Sequence, residues 1–227
     1  MELTALWDIN LGNFTIIDLI AATTNAFNGA LLARQPSHYR KYTIVGIVLL
    51  AIFGGIGGGV SRDVLLNDIP SALTNPLYLI LCAVAGYLAL RISGNLDEAR
   101  TARLFDFMSA FSLPWYAAVG CNKALAADLP YLGCILIGVV GPTAGRFLID
   151  ITSGVTPQHF VRGEWFVGTA VLSSVVYLIA DAGLGLTIWP ATLIAFAVGF
   201  TFRYLARRMQ WEEPLPRNQE GAAVLSS

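Results

Sequence analysis

Seven apolar segments, at residues 16–33, 43–60, 77–92, 104–125, 129–149, 165–180 and 184–204, take up most of this 227-residue chain. A bilayer core about 30 Å thick needs about 20 apolar residues in a helix rising 1.5 Å per residue. Each segment is read as one transmembrane helix, the third and sixth being the shortest. Only 13% of the residues are charged and the mean hydropathy is +0.64, whereas soluble domains carry about 25% charged residues. The fold class expected is therefore an all-α membrane protein.

Basic residues set the expected orientation. With the N-terminus outside, twelve of the fourteen Lys and Arg fall on the inner side, and only Arg62 and Lys123 on the outer. Such a bias marks the cytoplasmic face and fits an odd helix count. Trp165, Trp189, Tyr42, Tyr131 and Tyr204 lie near segment ends, where aromatic belts sit. The first residues carry no Lys or Arg, so no signal peptide is expected and the first span would drive insertion. Residues 1–15 are read as a short extracytoplasmic N-terminus. Residues 209–227, polar and with Pro214 and Pro216, are read as a disordered cytoplasmic tail.

The two halves resemble each other. "GIGGGVSRDVLLNDIP" in the first matches "GVVGPTAGRFLIDITSGVTP" in the second, pairing Gly57 with Gly141, Arg62 with Arg146 and Leu65 with Ile149; Gly29 pairs with Gly120 further upstream, and Asp18 with Asp106 approximately. Three helices per unit (16–92 and 104–180) would place the copies in opposite orientations, leaving 184–204 as a helix outside the repeat. Gly57 lies fourteen residues into its segment and Gly141 twelve into its own, about 21 and 18 Å along a helix. Both glycine clusters therefore fall inside the hydrocarbon slab. A phosphate-binding loop is excluded, because no Lys-Ser/Thr pair follows the glycines.

Two readings of the clusters remain. Interrupted helices in inverted halves point to a permeation or binding site, with Gly57, Gly58, Gly59, Ser61, Gly141, Pro142, Thr143 and Gly145 forming the kinks. Alternatively, Gly54-xxx-Gly58 and Gly141-xxx-Gly145 are close-packing motifs between helices.

Charges inside or at the edge of spans are costly and need partners. Arg146 and Asp150 lie four apart and share a helix face. Arg62 and Asp63 are adjacent and diverge by about 100° on a helix, so each is expected to pair elsewhere. These residues and Lys123 are candidates for a charged gate or helix lock, against interfacial snorkelling for Arg62, Arg146 and Lys123. Asp18 and Asp106 are expected at the interface. Asn25, Asn28, Ser61, Ser112, Asn122 and Thr143 are expected to line a wet path or bridge helices, and Pro114 is expected to kink its helix. Cys82, Cys121 and Cys134 are read as small core residues and His38 and His159 as solvated loop residues. No catalytic constellation, metal-ligand spacing, cofactor fingerprint or nucleic-acid-binding basic patch is present in the sequence.

"GGIGGGVSRDVLL", its degenerate copy "GPTAGRFLID" and the 3+3+1 helix plan together resemble the trimeric intracellular cation (TRIC) channel family. The likeness covers about residues 14–206. It is shared with bacterial two-repeat membrane proteins proposed as glycine transporters. It implies a homotrimer in the bilayer of a prokaryotic inner membrane, with a K⁺-permeable pore in each protomer around the glycine segments and no cofactor beyond permeant K⁺ or Na⁺. Lys123 follows Gly120 where animal members carry a basic lipid-binding motif; its neighbours do not match, which argues against phosphoinositide binding. The alternative function is a secondary transporter for glycine or another small solute, with Arg62 and Arg146 holding a carboxylate. A purely structural membrane protein is the third reading.

Overall fold

The computed structural model describes residues 13–38, 42–161, 163 and 165–214. Its long helices are α1 (Asn13–Leu32), α2 (Ile44–Leu65), α4 (Leu77–Gly94), α5 (Glu98–Ala126), α6 (Tyr131–Thr152), α7 (Phe166–Leu178) and α8 (Ile188–Arg208). A one-turn α3 (Ser71–Thr74) and a 3₁₀ turn (Gln158–Phe160) sit in the connections, and a π-turn (Ile179–Gly183) continues α7. Each expected apolar segment falls largely within one long helix. Helix starts follow local chemistry. Thr43 accepts from the Gly46 amide at 3.1 Å and Asp97 from the Arg100 amide at 2.7 Å, each satisfying one orphan donor of a first turn.

Among the described residues, six helices are long and apolar enough to cross a membrane: 14–32, 44–65, 77–94, 131–152, 166–183 and 188–208. Helix α5 is not among them, although it is the longest at 29 residues. It is the central helix, packed against α1, α6, α7 and α8. Its buried surface includes Ser109, Ser112, Ala117, Ala118, Gly120 and Cys121. Small and weakly polar residues suit a helix enclosed by other helices and lower its hydropathy. Lipid-type surface lies outside, where Val45, Leu49 and Phe53 of α2, Ile80, Val84 and Leu88 of α4, and Leu193 and Val198 of α8 are exposed. So much exposed apolar surface is incompatible with water on that side.

The halves pack alike. In the first, α1, α2 and α4 contact one another pairwise; in the second, α5, α6 and α7 do so. They meet through α1 on α5 and α2 on α6. Each half has its own core, one around Leu31, Leu50, Cys82 and Ala85, the other around Ala118, Cys121, Cys134 and Tyr177. All three cysteines are buried there as single thiols.

The expected interruptions at the glycine clusters are absent. Helix α2 runs unbroken through Gly57–Gly59 to Leu65, and α6 through Gly141 and Pro142 to Thr152. Helix α5 likewise continues through Pro114. The glycines serve contact instead. A β-carbon at Gly58 would fall on the Gly141 carbonyl oxygen, and one at Gly145 would lie 2.6 Å from the Gly54 carbonyl oxygen. The α2 and α6 backbones thus touch at two levels, which only glycine permits. The tail expectation also needs correction: Trp211 N–H donates to the Ala206 carbonyl (2.8 Å) and Glu213 N–H to that of Gly163 (2.9 Å), so residues 209–214 are held as a strap. Residues 1–12 and 215–227 lie outside the described residues.

Gly58→Ala should therefore cost roughly 1–3 kcal/mol, the usual range for overpacking, because the obstructing atom is backbone and cannot rotate away. The midpoint of thermal unfolding in detergent should drop clearly, while Gly94→Ala, which meets nothing within 4 Å, should not lower it.

Candidate functional site

Two charge networks lie at opposite ends of the α2–α6 contact, with a polar seam between them. The first centres on Arg62. Its Nη1 and Nη2 donate to the two Asp18 carboxylate oxygens at 3.0 and 3.1 Å, and its Nε donates to Asp63 Oδ1 at 2.7 Å. Tyr78 of α4 donates its hydroxyl to Asp18 Oδ2 at 2.8 Å. Asp63 Oδ2 accepts from the Ser71 amide at 2.9 Å and its hydroxyl at 3.2 Å. Lys123 of α5 bridges Asp63 Oδ1 at 2.9 Å and Asp68 at 2.7 Å, which holds the Asp68 carboxyl below the usual carboxylate range. Arg62 and Asp63 are fully buried and Asp18 almost so.

One expectation is overturned here. Asp18 does not face the interface: α1 carries it into the bundle, where its two oxygens match the guanidinium fork. Arg62 and Asp63 each have a partner elsewhere, Asp18 and Lys123, and they also bond each other despite diverging Cα–Cβ vectors, because the Arg stem is long enough to bend back. Only about 10 Å³ of free space remains between Asp18, Arg62, Asp63, Tyr78 and Tyr116. That is at the lower limit for one water.

The second network centres on Asp150. Its Oδ1 accepts from Arg146 Nε at 2.7 Å and lies 2.8 Å from His38 Nε2. The expected Arg146–Asp150 pair is present. His38, expected in solvent, is 1% exposed. The turn after α1 folds it under the end of α6, where Ser37 Oγ lies 2.8 Å from its Nδ1, so both ring nitrogens have partners. His159 is likewise no solvated loop residue. It stacks edge-on against Phe166 with centroids 4.8 Å apart. Burial, then the nearby Arg146 and Arg203 cations, push it down to about 4, so it is neutral at pH 7.

Between the networks runs the seam. Asn25 Nδ2 donates to the Gly54 carbonyl at 2.9 Å, and Ser112 Oγ to Asn25 Oδ1 at 3.2 Å. Asn28 Oδ1 is buried and accepts no hydrogen bond from the described residues. These residues, with Ser109, Pro142, Arg146 and Phe166, line a throat of only about 20 Å³, room for about one water. It adjoins a vestibule of about 310 Å³ that shares Ser109, Arg146 and Phe166 and is further lined by His159, Arg203, Arg207, Glu212 and Glu213. Not every candidate reaches this path. Ser61 and Thr143 bond back to the Gly57 and Val139 carbonyls of their own helices at 2.9 and 2.7 Å. Asn122 instead bridges to the Tyr177 hydroxyl at 2.6 Å.

The residues missed from sequence were partners. Asp18 lies 44 positions from Arg62, and His38 lies 112 from Asp150. One signal was available: Asp18 is the one acid within the first apolar segment, and a guanidinium inside a span needs an anion from somewhere.

Such a bundle, with apolar outer helices, charge locks between spans and a polar seam inside, defines a polytopic helical membrane protein. The chain belongs to the glycine transporter family, whose sequence model matches residues 15–93 and 106–182. It is 27% identical over 168 residues to a UPF0126 membrane protein of Deinococcus radiodurans, covering 72% of this chain and 75% of that protein. It is 22% identical to the UPF0126 inner membrane protein YadS of Escherichia coli strain K12, over 88% of this chain and 93% of that one. In structure it is similar to the TRIC trimeric intracellular cation channel orthologue from Rhodobacter sphaeroides: TM-score 0.75, 25% identity, covering 85% of this chain and 95% of that chain. It shares the TRIC fold.

Asp18→Asn should destabilise the protein by roughly 3–5 kcal/mol, because it leaves the buried Arg62 charge without its bidentate partner. Asp68→Asn, at a half-exposed partner of Lys123, should cost about 0–1 kcal/mol. Denaturation midpoints of the two variants in detergent check the ranking.

Proposed function

We propose that the protein is a channel for monovalent cations, chiefly K⁺, in a prokaryotic inner membrane. All seven long helices cross the bilayer as two inverted three-helix units plus α8, with the N-terminus outside and the C-terminus in the cytoplasm. Three copies assemble, each with its own path. The observation that carries the reading is the polar seam of Asn25, Asn28, Ser109 and Ser112, enclosed by α1, α2, α5, α6 and the start of α7 in a fold shared with a cation channel. Amide and hydroxyl oxygens coordinate a cation weakly enough to release it quickly. At about 20 Å³ the throat describes a shut state, so conduction requires the helices around it to part. Match of the family's sequence model to two segments supports the repeat, and the basic residues at one face support the orientation.

Within this reading Arg62 is a helix lock, since its surroundings leave no path for a hydrated ion. Arg146 is the gate residue, being 15% exposed and lining both throat and vestibule. A second reading, transport of glycine or another small carboxylate, is favoured by the family's description and by that same partly exposed Arg146 guanidinium.

Purified protein in planar bilayers and liposomes separates the two. The channel reading expects unitary K⁺ currents and flux that does not saturate; saturable, competed glycine uptake without unitary current would replace it with the carrier. Asn28→Leu puts an apolar side chain into the throat and removes an oxygen that bonds none of the described residues. It should cut K⁺ conductance severalfold with the thermal midpoint nearly unchanged.

A further inference from the structure

The vestibule is walled by four basic side chains, Arg146, His159, Arg203 and Arg207, and only two acidic ones, Glu212 and Glu213. Two of the arginines are held by aspartates that do not themselves line the cavity. Arg146 Nε is 2.7 Å from Asp150 Oδ1, and Arg207 Nη2 is 2.5 Å from Asp106 Oδ1. Arg203 is 5% exposed, lies 5.0 Å above the Phe166 ring and is attracted by the Glu213 carboxylate. His159 adds no charge at pH 7. Both glutamates come from the strap after α8, which the Glu213 amide pins to the Gly163 carbonyl at 2.9 Å. The strap therefore carries all the negative charge that the described wall presents to the cavity.

We propose that Glu212 and Glu213 determine the charge selectivity of the pathway by making an arginine-lined mouth passable to cations. The inference rests on the channel reading. A narrow cavity with low-dielectric walls focuses the field of the charges that line it. With the glutamates the wall attracts cations; without them its ionised lining is arginine alone and admits anions such as chloride.

The test is the reversal potential of the full-length protein in planar bilayers under a KCl gradient, for the wild type and the E212Q/E213Q double variant. The expected result is a K⁺-selective wild type and a variant whose K⁺-to-Cl⁻ permeability ratio falls about fivefold or more, as removal of a focused charge pair requires. Glu212→Asp with Glu213→Asp should keep most of the selectivity. A measurement on the wild type alone serves if the variant does not fold. Between 0.1 and 1 M KCl the screening length shrinks from about 10 to about 3 Å, so selectivity should fall steeply. A variant with unchanged permeability ratio, or with larger current at unchanged ratio, overturns the proposal, the latter by making the strap a plug. Wild-type selectivity that is independent of salt also overturns it. Absence of any wild-type current removes the channel reading and this inference together.

Discussion

The buried contact between Arg62 and Asp18 fixes how the first half of the molecule fits together. A guanidinium inside an apolar bundle is tolerated only with a partner of matching shape. Asp18 supplies both oxygens and also accepts from Tyr78, so α1, α2 and α4 converge on one carboxylate. Asp63 then ties α2 to the short α3 through Ser71 and to α5 through Lys123. Dispersion contacts among Leu, Ala and Ile hold these helices together but allow them to slide and rotate. The fork-to-carboxylate geometry sets their rotation. It also dictates which faces of α1 and α2 point inward lower down, where Asn25 reaches the Gly54 carbonyl.

Glycine does the complementary work between the two networks. The α2 and α6 backbones touch at Gly58–Gly141 and Gly54–Gly145, and Tyr116 donates its hydroxyl to the Gly55 carbonyl beside them. Two helices pressed this closely exclude a wide pore along their own contact. The polar seam lies to the side, where α1 and α5 meet that pair. Close packing and a permeation path were competing readings of the glycines. The contacts at the glycines are those of close packing, and the same contact positions the seam beside it.

Much of the bundle was legible in the chain because a bilayer imposes length and hydropathy so strongly. Every expected apolar segment lies largely within a long helix, and the Arg146–Asp150 pair followed from spacing alone. What was not legible depended on approach between distant elements. Asp18 and His38 read as surface groups because each lies near an apolar segment's end, and nothing local says that the bundle closes over them. The glycine runs read as breaks because propensity favours that; tertiary contact outweighed it, as it commonly does. Ser61 and Thr143 read as lining residues, yet a hydroxyl inside a helix can bond its own preceding turn, and both do. The strap was missed because composition describes average behaviour, while a single amide bonding Gly163 decides the placement of Glu213.

The two arginines at matching positions of the half-sequences end in different states, and α8 explains why. Arg62 takes Asp18 from the first helix of its unit. The approximate counterpart, Asp106 on α5, does not reach Arg146. It is engaged by Arg207 of α8, whose Nη1 also donates to the Asp106 carbonyl at 3.1 Å. Helix α8 thus supplies a competitor for Asp106, whereas Asp18 is held by Arg62 of α2 and Tyr78 of α4. Arg146 is left to Asp150, four residues along its own helix, and keeps part of its surface facing the throat and vestibule. One guanidinium is thereby fully buried, while the other stays 15% exposed. Capture of a single carboxylate by α8 is enough for this: the two half-sequences remain alike, while only one of the paired arginines keeps an exposed surface.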